Sequence, residues 1–236
     1  MASTDVLQKA RSDGRSVLNE VESKELLNEA GIPVMETRLA RSRAEAVRIA
    51  QELGLPAVLK IVSPDVVHKS DVGGVKVGLN SARQVQEAYD SIISSVRQAV
   101  PSASIQGVSV QKMAPPGVEV IIGASTDPQF GHVVMFGMGG VLVEVLKDVA
   151  LRLVPLTPRD AREMIREIKS FQILEGYRGA PPSDIGKLEA AILDLSRFLE
   201  SHPEVREVDL NPVFCYPQGI VAVDARVVLE KGSANP

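Results

Sequence analysis

Apolar positions recur along the chain in two alternating rhythms, one of helical period and one of strand period. In "NEVESKELLNEAG", Val21, Leu26, Leu27 and Ala30 share one helical face, and the pattern closes at Gly31. "IPVMETRLA" reads as a strand. Ser42 is placed to cap "SRAEAVRIAQELG", an amphipathic helix that stops at Gly54. "PAVLKIV" and "GGVKVGL" read as strands, and "SARQVQEAYDSIISSVRQAV" as a long helix. "GVSVQKM" and "GVEVIIGAS" read as strands joined by the turn "APPG", and "GHVVMFGM" adds another. Thr157-Pro158 starts a helix, with Thr as cap and Pro at the first helical position. "SDIGKLEAAILDLSRFLES" is a further amphipathic helix. Two strands, "VREVDLNPVF" and "GIVAVDARVVL", close the pattern around the turn "YPQG". This is α/β (α+β) material, and the late hairpins argue for mixed sheets in two lobes over one parallel sheet. The first sixteen residues and "KGSANP" are expected to fray.

Composition narrows the function classes. With 236 residues and no linker, repeat or low-complexity tract, the chain fits one unit of two lobes. Net charge is −4, with no basic cluster and no Trp, which argues against nucleic-acid binding. No apolar run approaches the roughly 20 residues of a membrane helix. The N-terminal "MASTDVLQKARSDGRS" has no signal-peptide core, so a cytoplasmic location is the expectation. The single Cys215 rules out an internal disulfide and reads as a buried structural thiol.

Four places carry candidate chemistry. Lys60 stands at the end of an apolar strand, where it either snorkels or presents its ammonium to an anion. The loop "HKSDVGG" combines His68 with lysine and a glycine pair. Glycines let backbone approach phosphate, but the Walker A spacing is missing. In the C-terminal hairpin, Asp209 and Asn211 are two apart and point the same way on a strand. Asp224 is a charge within the neighbouring apolar run, where burial is costly without a partner or cation. Two converging oxygen ligands suit Mg²⁺; pairing of Asp224 with Arg226, or its capping by backbone amides, is the structural alternative. Lastly, "FGMGGVLVEVLKDVALRLVPL" holds Gly137, Gly139 and Gly140. Its Glu144, Asp148 and Arg152 are four apart, as on one helical face, although the stretch also has strand character.

Taken in order, "VLKIVSPDVVHKSDVGGV", "GVEVIIGASTDPQFGHVVMFGMGG" and "EVDLNPV" resemble the ATP-grasp fold. More narrowly, they resemble the β subunit of ADP-forming acyl-CoA (acetyl-CoA) synthetases, relatives of succinyl-CoA synthetase. The resemblance runs over nearly the whole chain. It implies two lobes enclosing ATP/ADP, one of about 24–110 and one of about 111–230 with the N-terminal segment. It further implies that Lys60 contacts phosphates and that Gln111, Lys112, Met113 and Ala114 hold the adenine edge through backbone groups. Glu119 matches the ribose contact, and Asn211 and Asp224 match the Mg²⁺ ligands. His68 matches a transiently phosphorylated histidine, and Asp209 the carboxylate that orients it.

Those roles make chemical sense of His68. Neutral imidazole is a nucleophile near pH 7, where a lysine is protonated. The implied reaction is acyl-CoA + ADP + phosphate ⇌ acid + ATP + CoA, run with an α subunit that carries CoA binding and acyl-phosphate chemistry, in an α₂β₂ assembly. Rival readings are a stand-alone ATP-grasp carboxylate ligase, a non-catalytic nucleotide-binding regulatory subunit, and a scaffold. A stand-alone ligase does not need His68, and a sensor need not keep a phosphoryl acceptor.

Overall fold

Strand β2 (Ala57–Val62) is buried at every position. It lies inside an antiparallel sheet of order β1-β4-β2-β3, with β1 Thr37–Ala40, β3 Val75–Leu79 and β4 Gly107–Lys112. The two-residue period divides its side chains. Ala57, Leu59 and Ile61 join Val108 and Val110 in a core with Ala46, Ile49, Val85, Ile92 and Val96. The last five residues come from α3 (Arg43–Leu53) and α4 (Ala82–Ala99). Both helices begin on a serine: Ser42 Oγ accepts from Glu45 N at 3.2 Å and Ser81 Oγ from Gln84 N at 3.3 Å. The other face of the sheet carries Val58 and Lys60 of β2, paired in register with Gln111 and Ser109 of β4.

The computed structural model describes residues 3–66, 68–140 and 148–230. The sheet just described belongs to a unit of Asn19–Val21 and Met35–Pro115; the second unit holds Met1–Leu18, Glu22–Val34 and Pro116–Pro236. The first lobe was expected to begin near residue 24. Residues 22–34 instead fall in the second unit, because Leu26, Leu27 and Ile32 are buried in its core. The fraying expected of the first sixteen residues is likewise corrected. Helix α1 (Ser3–Ser12) places Val6, Leu7 and Ala10 in that same core, a spacing that defines one helical face.

The second unit is built on an antiparallel sheet of order β10-β8-β5-β6-β7, with β9 pairing β8. Its strands are β5 Val118–Asp127, β6 Gly131–Met138, β7 Val149–Leu153, β8 Val205–Cys215, β9 Ile220–Ala222 and β10 Arg226–Leu229. One sheet face packs on α1, α2 (Glu20–Glu29), α5 (Pro158–Glu167) and α7 (Ile185–Ser201); the short α6 spans Phe171–Leu174. Thr157 caps α5 in a reciprocal box: Asp160 N donates to Thr157 Oγ1 at 3.3 Å, and Thr157 N donates to Asp160 Oδ2 at 2.8 Å. "APPG" is not a hairpin turn, since β4 and β5 belong to different sheets. Among the described residues no helix is long and apolar enough to cross a membrane.

The helical spacing of Glu144, Asp148 and Arg152 is not realised. Arg152 lies in β7, Asp148 precedes it, and Glu144 is outside the described residues. Asp148 is buried, and its two oxygens accept from the Lys169 and Ser170 amides at 2.8 Å each. Burial pushes its carboxyl up, but the Ser170 hydroxyl and these two amides outweigh it and hold the group below the usual range. A carboxylate lowered by folding stabilises the fold above its unfolded pKa, and that contribution fades as pH falls through the folded value. Asp148→Asn should therefore cost about 1.5–3 kcal/mol at pH 7. Chemical denaturation should find the difference from wild type shrinking below about pH 4.

Candidate functional site

Lys60 is the fourth residue of β2, inside the strand and not at its end as its sequence context suggested. It is 6% exposed and points from the sheet face opposite the helices, where an ammonium needs a counter-charge. Glu20 supplies it: Lys60 Nζ donates to Oε1 at 2.7 Å. The second oxygen, Oε2, accepts from Lys69 Nζ at 2.9 Å and lies 3.3 Å from Ser109 Oγ. The Glu20 side chain is 1% exposed. Exposed pairs such as Arg83–Glu87 add little to stability, because solvent screens both charges. Removing one partner of a buried pair costs roughly 3–5 kcal/mol, so Glu20 outweighs them.

His68 is exposed, one residue before Lys69, in the loop between β2 and β3. The loop closes tightly: Gly74 N donates to Lys69 O, and Ile61 N to Gly74 O, both at 2.7 Å. A Cβ on Gly74 would stand 2.6 Å from Ile61 Cγ2 and 2.7 Å from Lys69 O, so only glycine fits. Lys76 sits half-buried in β3, opposite Leu59.

In the second unit, β8 carries Asp209 and one of the two predicted metal ligands, Asn211. Its register against β5 slips by one residue: Val120 faces Val213 and Ile122 faces Leu210. Three residues of β8 thus span two of β5, a bulge at Asn211-Pro212. Val208 and Leu210 before it, and Val213 and Cys215 after it, still reach the core. Opposite the bulge, the partner strand breaks between β9 and β10, so Asp224 lies in the gap and not centrally in a strand. Asn211 is exposed and Asp224 half-buried. Asp224 Oδ1 accepts from Ala225 N at 2.9 Å. Asp209 pairs in register with Arg226, on the face away from the core helices. Burial raises its carboxyl, as do the charges of Glu207 and Asp224, while Arg226 works against them. Mutually repelling carboxylates beside an exposed amide oxygen fit a hydrated cation. Among the described residues no group of three His, Cys, Asp or Glu side chains could hold a metal by itself. Asn211 and Asp224 fit Mg²⁺, which keeps its other positions for water and phosphate.

Glu119 is the second residue of β5 and half-buried, and two glycines of the cluster lie against it. Gly139 N donates to Glu119 O at 2.7 Å, and a Cβ on Gly139 would meet Glu119 Cβ at 2.9 Å. Gly140 adopts φ +67°, where a Cβ would meet Glu119 Oε2 at 3.2 Å. Gly139-Gly140 is thus a close backbone approach to Glu119, while a Cβ on Gly137 would meet Asp148 O and Val149 Cγ1 at 2.8 Å. The predicted adenine strip starts at the end of β4: Gln111 is buried, Lys112 exposed, Met113 36% exposed and Ala114 buried. Met113 N already donates to Pro56 O at 2.8 Å.

The ATP-grasp domain model matches residues 9–229. The β subunit of acetate–CoA ligase (ADP-forming) I from Pyrococcus furiosus is 45% identical over 225 residues, covering 95% of this chain and 97% of that one. The chain belongs to this β-subunit family. It is the ATP-grasp subunit of an ADP-forming acyl-CoA synthetase of two subunits. The acetyl-coenzyme A synthetase 1 of Ca. Korarchaeum cryptofilum, solved with coenzyme A, Ca-AMPCP and HgCl⁺, superimposes with TM-score 0.95. It is 52% identical, over 97% of this chain and 100% of that one. A second structure of that enzyme, with coenzyme A and Mg-AMPPCP, has its phosphohistidine segment pointing towards the nucleotide binding site. It is 48% identical at TM-score 0.87, over 97% and 100% of the two chains.

Within this synthetase subunit, the structure groups Lys60 with Ser109 and Gln111 on one sheet face, and Asp209, Asn211 and Asp224 around one bulge. Sequence reading missed Glu20 and the engagement of Lys69. The signal available was an acidic residue at a helix start, which reads as an exposed first-turn charge. Cys215 is buried as expected, and burial together with the Asp184 charge pushes its thiol up to about 12. A thiol reagent at pH 8 should label the native subunit at least about 100-fold more slowly than the unfolded one; stopped-flow absorbance with and without denaturant checks this.

Proposed function

We propose that the subunit passes the terminal phosphoryl group between ATP and His68, with Lys60, Asn211, Asp224 and Asp209 serving that transfer. The observation that carries the reading is the exposed imidazole beside Lys69, whose ammonium shares a carboxylate with the buried Lys60. A ring nitrogen lone pair of His68 attacks the γ-phosphorus. The N–P bond forms as the bond from phosphorus to the β–γ bridging oxygen breaks, and its electron pair leaves on ADP. Reversal regenerates ATP. Asp209 accepts from the other ring nitrogen and so fixes the imidazole's orientation. Lys60 holds phosphate oxygens, Glu119 the ribose, and the 111–114 strip the adenine edge. Bound by Asn211 and Asp224, Mg²⁺ supplies positive charge to the polyphosphate.

The partner is an α subunit carrying the CoA and acyl-phosphate chemistry, in an α₂β₂ assembly located in the cytoplasm. Support for the partner and the histidine relay comes from the 45% identical β subunit and from the neighbour whose phosphohistidine segment points towards its nucleotide binding site.

With γ-labelled ATP and Mg²⁺, the wild-type subunit should acquire acid-labile, base-stable label that is lost in His68→Ala; label that persists in this variant assigns the acceptor elsewhere. Asp224→Asn should weaken Mg²⁺-dependent labelling about 10–100-fold while circular dichroism stays unchanged. The raised Asp209 carboxyl gives a pH test. Its charged form is lost as pH falls through a value above the ordinary carboxylate range, so labelling declines on that acid limb. Glu207→Gln removes one of the charges that raise it, and the limb should move to lower pH in the rate profile.

A further inference from the structure

We propose that Glu20 is a positioning residue for the phosphoryl acceptor: its carboxylate anchors the His68 segment through Lys69. This rests on the reading of His68 given above. The segment is fixed on both sides of the imidazole. Upstream, Ser104 N donates to Asp65 Oδ2 at 2.7 Å and Val66 is 6% exposed in the core of its unit. Downstream, the backbone closes on itself at Lys69, whose carbonyl accepts from Gly74 N at 2.7 Å. Gly74 lies so close to Ile61 and to the Lys69 carbonyl that a Cβ there would clash with both. Lys69 is therefore where a backbone fixture and a side-chain fixture coincide, and His68 is the next residue.

The side-chain fixture is the one that can be exchanged. Lys69 is 23% exposed, whereas the carboxylate it meets is 1% exposed. The two lysines use different oxygens, Lys60 on Oε1 and Lys69 on Oε2. Both ammoniums thus meet the same carboxylate, and a phosphate drawn to either lysine competes with Glu20 for it. Moving His68 away from its resting place must either carry Lys69, breaking its bond to Glu20, or twist the chain between Val66 and Lys69. Glu20 in this way links the strand lysine to the loop that bears the acceptor, across 40 and 49 residues of sequence.

The test is amide hydrogen exchange on the assembled two-subunit enzyme without nucleotide, followed by single-turnover labelling. In Lys69→Met, exchange over 68–74 should run about tenfold faster while α3 and α4 keep wild-type rates. Labelling of His68 at saturating ATP should fall about tenfold, because a loosened acceptor is less often aligned. Glu20→Gln should reproduce both effects, and Lys69→Arg should restore both towards wild type. Lys69→Met keeps the test open where Glu20→Gln does not fold. Unchanged exchange over 68–74, acceleration spread equally into α3 and α4, or full labelling from a loosened loop each overturns the proposal. The phosphoryl reading fails separately, when label survives His68→Ala.

Discussion

The carboxylate of Glu20, nearly closed off from solvent, holds the first unit's charged residues in place. An ammonium in the middle of a fully buried strand is untenable alone. Lys60 is tolerable there because a carboxylate meets it at 2.7 Å. That same carboxylate also settles where Lys69 lies. A residue near the beginning of the chain therefore meets both the strand that bears Lys60 and the loop that bears His68.

The second unit solves a different problem with backbone alone. β8 must feed a core on one face and carry oxygen donors on the other, and a period of two does that only while the frame holds. The extra residue at Asn211-Pro212 resets the frame, and the break at 223–225 resets its neighbour, so the core positions resume on both strands. Asn211 and Asp224 occupy the irregularities that result. Side chains set at bulges are aimed by the sheet without disturbing its packing.

Much of this was legible in the sequence because it is local. Ser42 and Thr157 announced their helices, the Val/Ile alternation announced the strands, and Asp209 with Asn211 announced a shared face. What escaped is non-local or mimicked by local signals. Glu20 reads as an ordinary first-turn acid, and only partners 40, 49 and 89 residues away make it buried. "APPG" has the composition of a hairpin turn, yet it connects two sheets. Polar composition masked the Val6, Leu7 and Ala10 stripe of α1. The GMGG glycines have the look of a phosphate loop, yet Gly139 and Gly140 lie against Glu119, and Gly137 against Asp148 and Val149.

The isolation of Cys215 in the core has a practical side. As the sole sulfhydryl of the chain, and an unreactive one, it leaves the surface free of competing thiols. A cysteine engineered at an exposed site such as Ser70 would be the one position open to a fluorophore or spin label. Any motion of the loop that carries His68 could then be followed by spectroscopy in an otherwise native background.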